Sequence, residues 1–181
     1  MSILNKNRSG FSLIELMVVV VIIGIMAAIA VPNFLSWLPN MRLKAAARDL
    51  YSNMQKSRMM AVKSNRNTAI TFDTANNKYD ICSDWNVAAS NCVGNVESIR
   101  LTSYKSGIRY GHGNATQQVP GGAFPGNDVS YTNSRIVFKP QGLVNAGYVY
   151  FDHLKNTTTY AIGSQTSGVI KLLKWNGSAW K

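Results

Sequence analysis

KNRSGFSLIELMVVVVIIGIMAAIAV, residues Lys6–Val31, is the stretch that decides how this chain is organised. A basic, polar head leads into Gly10-Phe11, and a single carboxylate, Glu15, stands just inside a run of apolar residues. Residues 16–31 contain no charged and no strongly polar side chain. Because an ionisable group at membrane depth is costly, Glu15 is expected to have a function.

Two ordinary interpretations of this stretch remain open. As a plain membrane anchor, it reaches the ~18–20 residues needed to span a bilayer only if residues 11–13 are counted across Glu15. Lys6 and Arg8 would then hold the N-terminus in the cytoplasm. As a secretory signal peptide, it would be cleaved after the small-residue pattern Ala28-Ile29-Ala30, but this leaves Glu15 unexplained.

The hexapeptide GFSLIE, which begins at Gly10, resembles the type III signal of type IV pilins and type II secretion pseudopilins. The resemblance implies that a membrane prepilin peptidase and N-methyltransferase cuts after Gly10 and methylates the amine of Phe11. It implies that Glu15 pairs with the N-terminus of a neighbouring subunit during filament assembly, since a buried carboxylate needs a buried partner. Gly24 and Pro32 stand where the family carries helix-loosening residues, although close helix packing explains Gly24 equally well.

A long helical pattern follows from Phe11. Pro32 and Pro39 each remove a backbone donor, so kinks or local unwinding are expected there. Beyond them, apolar and small residues recur at three- and four-residue spacing and predict a face that docks on a sheet. These residues are Leu43, Ala46, Ala47, Leu50, Met54, Ser57 and Ala61.

After residue 64 the pattern changes to strands and turns. Strands are predicted over 68–72, 79–82, 98–104, 108–110, 135–139, 147–152, 158–162 and 169–175. The segment 111–128 has no apolar periodicity and predicts a long loop, and a polar loop is expected between Cys82 and Cys92. The predicted fold is therefore α+β, a long N-terminal helix packed on an antiparallel sheet or small β-sandwich.

Four regions follow from the pattern and the resemblance together. They are a leader peptide (1–10), a transmembrane or filament-core helix (11–32), an amphipathic helical half (33–66) and a β-rich globular domain (67–181). The expected location is the bacterial inner membrane, crossed once with the N-terminus cytoplasmic and the globular domain periplasmic, and later a periplasmic or cell-surface filament. The expected partners are the processing enzyme, other pilin or pseudopilin subunits and the membrane.

Cys82 and Cys92 are the two cysteines of the chain. An even count in a chain sent to an oxidising compartment indicates a disulfide, with two free buried thiols as the alternative.

Four further segments narrow the resemblance to GspH/FimT-type minor pseudopilins. They are KAAARDL (44–50), AVKSNRN (61–67), IVFKPQG (136–142) and SGVIK (167–171). This subtype implies a structural subunit that helps to initiate a filament or connects it to cargo. The alternative is a major pilin, a group in which the disulfide commonly lies near the C-terminus. Glu15 argues against the outermost tip position, because tip subunits of this family can lack that carboxylate.

Nucleic-acid binding is the competing hypothesis. The chain has a net charge of +11, and removal of Lys6 and Arg8 would leave +9. Some relatives of the FimT branch are implicated in DNA uptake through a Gly-Arg-x-Arg motif, which here is Gly168-Val169-Ile170-Lys171. The segment still interleaves cations with aromatic residues, which suits contact with a single strand or with phosphates; these residues are Lys171, Lys174, Trp175, Trp180 and Lys181. A solvated strand face with an apolar C-terminal plug explains the segment better.

Catalysis and metal binding find little support in the sequence. His112 and His153 are the only histidines, and neither stands in a metalloprotease or hydrolase motif. The aspartates at 73, 80 and 84 do not follow the spacing of a calcium loop. A structural protein without enzymatic activity, cofactor or metal is expected.

Overall fold

The computed structural model describes residues 10–104, 107–154 and 158–181. It divides into two compact units, Met1–Leu38 and Pro39–Lys181. Helix α1, Leu13–Ser64, supplies the N-terminal unit and continues into the second. The leader expected at residues 1–10 lies outside the described residues, apart from Gly10.

Helix α1 runs through both prolines without a break in its helical pattern. Of the two alternatives expected at Pro32 and Pro39, local unwinding is wrong for this structure, and a kink stays a prediction. Proline fixes a φ that is itself helical and removes one donor, so the many unaffected hydrogen bonds on either side can carry the helix across.

The part of α1 in the N-terminal unit is long and apolar enough to cross a membrane by length and composition. None of its most apolar window is buried among the described residues. The stretch satisfies the length requirement for a bilayer span, as the sequence predicted.

In the described residues, ten strands and two short 3₁₀ helices follow α1. In chain order the strands are β1 (Thr68–Asp73), β2 (Lys78–Cys82), β3 (Trp85–Asn86), β4 (Asn91–Cys92), β5 (Val96–Arg100), β6 (Ile108–Tyr110), β7 (Arg135–Phe138), β8 (Gly147–His153), β9 (Tyr160–Ser164) and β10 (Ile170–Lys174). The 3₁₀ helices are Leu101–Tyr104 and Thr132–Ser134.

The strands form two four-stranded antiparallel sheets and one short hairpin. The first sheet has the order β5-β2-β1-β7, the second has the order β10-β9-β8-β6, and β3 pairs with β4. In the first sheet Ile70 lies opposite Ile81 on one side and Ile136 on the other. This places aliphatic side chains in a row across the centre of the sheet.

One core joins α1 to both sheets. The seven helix residues predicted to dock on a sheet are the ones that α1 buries. All of them except Ser57 share a cluster with Tyr79 and Phe138 of the first sheet and with Phe151 and Ile162 of the second. The α+β fold expected from the sequence is confirmed.

Two sequence predictions need correction. The strand expected over 98–104 ends at Arg100, and a 3₁₀ helix takes its place. Leu101 is fully buried and Tyr104 donates to Asp49 Oδ2 across 2.7 Å, so the turn carries an apolar anchor into the core and a polar anchor onto α1. The polar loop expected between Cys82 and Cys92 contains the β3–β4 hairpin. The loop over 111–128 carries no helix or strand, as predicted.

Candidate assembly site

The predicted processing site lies at the start of α1. Gly10 and Phe11 precede the helix, and the Phe11 side chain is 85% exposed. The amide of Leu16 donates to the carbonyl of Ser12 across 3.2 Å, which marks the first helical turn. A peptide bond that is exposed and outside regular structure is open to a peptidase.

Glu15 lies in that first turn and is exposed. Among the described residues it has neither an ion pair nor a hydrogen-bond partner. The unsatisfied amides of a helix N-terminus favour a carboxylate at this position. The described residues therefore hold this charge in a defined place and supply no cation to pair with it.

The apolar residues that follow are exposed without interruption. Every residue from Gly10 to Trp37 is exposed, including the valine and isoleucine run of residues 18–25. Each such side chain would stabilise the molecule by roughly 1.5–3 kcal/mol on leaving water. A surface of this extent is characteristic of lipid contact or of burial between protein subunits.

Gly24 is not required by the packing of its own chain. A Cβ at this position would meet nothing within 4 Å. Glycine in a helix interior costs about 1 kcal/mol relative to alanine, and packing within the monomer does not account for it. Close approach of another helix and a need to loosen α1 both remain consistent with Gly24, and Pro32 stands two turns later.

Cys82 and Cys92 form a disulfide with a Cα–Cα distance of 5.8 Å. The alternative of two free thiols does not hold in this structure. The bridge fixes the β3–β4 hairpin over the first sheet, where Ala69, Trp85 and Val137 complete a small apolar cluster. The guanidinium carbon of Arg135 stacks 4.5 Å from the centre of the Trp85 ring.

The structure does not bring Lys171 and Lys174 onto one face. Both are exposed, but side chains alternate along a strand and the two are three positions apart on β10. Lys174 shares its face with Ile170, which lies in the main core. Lys171 shares its face with Leu173, which packs on a second cluster formed by Tyr148, Tyr150 and Ala161. The nucleic-acid contact proposed for this pair stays a prediction.

The apolar C-terminal plug expected from the sequence consists of Trp175 and Trp180, which pack against each other. Trp175 is buried, and Trp180 packs edge-on against it at 5.2 Å between ring centres. Trp180 also packs on Tyr150 and donates its Nε1 hydrogen to the carbonyl of Gln117 across 2.8 Å. The plug is thereby fastened to the long loop.

A junction that sequence reasoning missed ties α1 to two turns. Arg58 Nε donates to the carbonyl of Gly142 across 3.1 Å. Gly168 has a φ of +86° and its backbone lies against that same carbonyl. Both glycines stand in segments already recognised as characteristic, IVFKPQG and SGVIK, so the two glycines were the available signal.

Two models of known protein families match this chain. The model of the prokaryotic N-terminal methylation motif matches residues 5–31, and the model of the type II transport protein GspH matches residues 46–168. The chain belongs to the GspH family. Its N-terminal helix carries the methylation motif of pilins and pseudopilins, and the resemblance drawn from the sequence is confirmed.

Curated relatives match this GspH-family chain over part of its length. The chain is 50% identical over 46 residues to the type IV major pilin protein PilA of Myxococcus xanthus, covering 25% of this chain and 21% of that protein. It is 33% identical over 76 residues to a fimbrial protein of Pseudomonas aeruginosa, covering 42% and 49% respectively. The chain thus matches between about a fifth and a half of the length of these relatives.

A solved structure shares the fold. The minor pseudopilin EpsH from the type 2 secretion system of Vibrio cholerae superimposes with a TM-score of 0.51, covering 73% of this chain and 96% of that chain at 13% identity. A long helix packed on antiparallel sheets is the fold of this GspH-family protein and of that pseudopilin.

The histidines and aspartates of this GspH-family chain have structural surroundings. His112 contacts Asp128 and stacks on Phe124, with 4.0 Å between ring centres. His153 is buried on β8. In the part of the chain that the structure describes, no group of three or more His, Cys, Asp or Glu side chains is arranged to hold a metal. Pilins and pseudopilins are structural proteins.

Proposed function

We propose that this chain is a minor pilin or pseudopilin subunit that assembles through its N-terminal helix into a type IV pilus or a type II secretion pseudopilus. A prepilin peptidase and N-methyltransferase cuts after Gly10 and methylates the amine of Phe11. Residues 11–32 first anchor the subunit in the inner membrane and later form the filament core. Residues 33–66 and 67–181 form the helix half and the β-rich domain that face the periplasm.

The continuous exposure from Gly10 to Trp37 of a largely apolar segment, with a carboxylate that has no partner among the described residues, carries this proposal. A bilayer covers the apolar surface but supplies no partner for Glu15. A neighbouring subunit in a filament covers the same surface and, once processed, offers a protonated Phe11 amine. The filament therefore satisfies both the apolar and the ionic requirement, whereas a plain anchor satisfies one.

The pairing also sets the register between subunits. A buried carboxylate accepts only a close, hydrogen-bonded cation, so a neighbouring helix displaced along the axis would leave two buried charges unpaired. Gly24 and Pro32 lie within the same helix and lower its resistance to local adjustment on leaving the lipid.

Intact mass and N-terminal analysis of the protein from its native membrane tests the proposal. A chain that begins at N-methyl-Phe11 supports it, and a Gly10→Ala variant that remains uncut is the matched control. A chain that begins at Val31 would make this a conventionally secreted protein and would withdraw the roles given to Glu15 and Gly24. An uncut native chain would leave a plain membrane-anchored domain.

DNA binding by the filament is the second candidate, and the exposure of Lys171 and Lys174 on an edge strand supports it. Binding through phosphates falls steeply with salt. Salt-sensitive DNA binding that is lost on charge reversal at both lysines would support this candidate, and no binding at low salt would end it.

A further inference from the structure

A polar cavity lies at the C-terminal end of β10. Its volume is about 550 Å³, within the range of small-ligand sites. The described residues that line it are Asn114, Thr158, Lys174, Trp175, Asn176 and Gly177. None of these six is acidic, and three different segments contribute to the wall.

Lys174 brings a fixed position and a free charge to this cavity. Its backbone amide donates to the main-chain oxygen of Lys181 across 2.6 Å, and the Lys181 amide donates to the carbonyl of Lys174 across 3.0 Å. On its other side it lies opposite Tyr160 in the sheet. Its ammonium group has no ion pair or hydrogen bond with any described residue.

Asn176 presents a donor because its oxygen is already occupied. Oδ1 accepts hydrogen bonds from the amide of Ser178 at 3.0 Å, the amide of Ala179 at 2.8 Å and the hydroxyl of Ser178 at 3.2 Å. The turn therefore determines the amide orientation and leaves the Nδ2 hydrogens for the cavity. Gly177, with a φ of +102°, lets the chain make this turn.

Trp175 gives the cavity an apolar wall. Its backbone amide donates to the carbonyl of Thr159 across 2.9 Å, and its side chain is only 4% exposed. Packing against Trp180 holds the ring in place. A rigid aromatic wall next to a cation suits a ligand that has an anionic group attached to an organic body.

We propose that this cavity binds the phosphoryl group of a phosphate ester. Lys174 acts as a point charge, and Asn176, Asn114 and Thr158 supply separate donors from different directions, which fits a tetrahedral anion. Planar carboxylates are better matched by the bidentate fork of arginine, and none of the described residues that line the cavity is an arginine. The ester comes either from a soluble molecule or from the headgroup of an anionic lipid.

Calorimetric titration of the full chain in phosphatidylcholine nanodiscs tests the soluble source, with inorganic phosphate and glycerol 1-phosphate as probes. Phosphorus NMR of phosphatidylglycerol added to the same nanodiscs tests the lipid source. Lys174→Gln removes the charge, and Asn176→Asp keeps the oxygen that caps the turn while replacing the donor. Lys171→Gln is the matched control, since it makes the same charge change on the opposite face of the same strand.

We expect a dissociation constant of about 1 mM or below for a soluble probe, or broadening of the phosphatidylglycerol resonance, weakened about tenfold by Lys174→Gln and Asn176→Asp. Lys171→Gln should bind like the native chain. Binding in one arm only identifies the source. An equal loss in Lys171→Gln would show diffuse charge attraction and overturn the site, as would absence of binding up to about 10 mM in both arms.

Discussion

Arg58 of α1 donates a hydrogen bond from Nε to the carbonyl of Gly142, 3.1 Å away, and so fastens the helix to the turn after β7. Gly168, in the turn before β10, lies against the same carbonyl. A charged donor makes a stronger bond than a neutral one, so this junction contributes more than an ordinary turn contact. Two sheets and the helix are joined at one carbonyl group.

Gly168→Ala should destabilise the fold by about 2 kcal/mol or more. A Cβ there would overlap the Gly142 carbonyl and lie 3.1 Å from Arg58 Nε, in addition to the strain of a φ of +86°. Gly177→Ala is the control, since its φ is +102° but its Cβ would meet nothing within 4 Å, and it should cost only about 1 kcal/mol. Urea unfolding measures both, and equal losses would contradict the role given to the junction.

The sequence was sufficient for the parts of the fold that follow from local periodicity. The helix stripe was predicted residue by residue, since one face of α1 is small and apolar throughout. The 3₁₀ helix at Leu101 was missed because its apolar residues also fit a strand, and only the distant contact of Tyr104 with Asp49 favours the turn.

The candidate sites also differ in whether the sequence alone reveals them. Glu15 stands out in sequence because a charge interrupts an apolar run. The phosphate cavity and the Arg58 junction do not stand out, because each gathers residues from separate turns whose proximity depends on the pairing of β8, β9 and β10. The sequence alone did not distinguish Lys171 from Lys174. The alternation of side chains along β10 places the two on opposite faces of the strand.

Alkaline pH should unfold the protein through its buried tyrosines. Burial raises the pKa of Tyr79 to about 12, partly offset by the hydrogen bond from Asn53 at 2.9 Å. The folded state thus favours the neutral phenol. The contribution of Tyr79 to the free energy of unfolding is therefore intact below pH 10 and is lost as pH rises from about 10 through 12. Over this pH window, the free energy of unfolding of Tyr79→Phe should fall by about 2 to 3 kcal/mol less than that of the native chain. Urea titrations at each pH measure both. A pH slope equal to that of the native chain would contradict this.

Removal of the disulfide should destabilise the domain without changing its fold. The bridge closes a loop with a sequence separation of 10, which corresponds to roughly 3 kcal/mol in the chain-entropy model. The double variant Cys82→Ala and Cys92→Ala should lower the free energy of unfolding by about that amount and loosen the hairpin around Trp85. Circular dichroism of the native strand content serves as the control. A variant as stable as the oxidised native chain would show that the hairpin is held by packing alone.

Gly24→Ala should have opposite effects on the monomer and on assembly. No atom within 4 Å opposes a methyl group in the chain itself, and alanine favours a helix by about 1 kcal/mol. The helix in detergent should therefore become more stable, while incorporation into filaments should fall if α1 must loosen or approach a neighbour closely. Ala27→Gly, one turn later, is the matched reverse change. Normal incorporation of Gly24→Ala into filaments would contradict both the loosening of α1 at Gly24 and the close approach of a neighbour there.

Glu15→Gln should abolish incorporation into filaments while leaving processing intact. The amide has nearly the shape of the carboxylate but no charge, so the amine of a neighbouring Phe11 would be buried without an anion, at a cost of about 3 kcal/mol or roughly a hundredfold in assembly. Glu97→Gln provides the control, because Glu97 is an exposed carboxylate whose ion pair with Lys56 is also exposed. Both variants should yield an N-methylated Phe11 by mass spectrometry, and only Glu15→Gln should be missing from sheared or cross-linked filaments. Normal incorporation of Glu15→Gln would mean that helix packing alone sets the register, and the ionic part of the assembly proposal would fall.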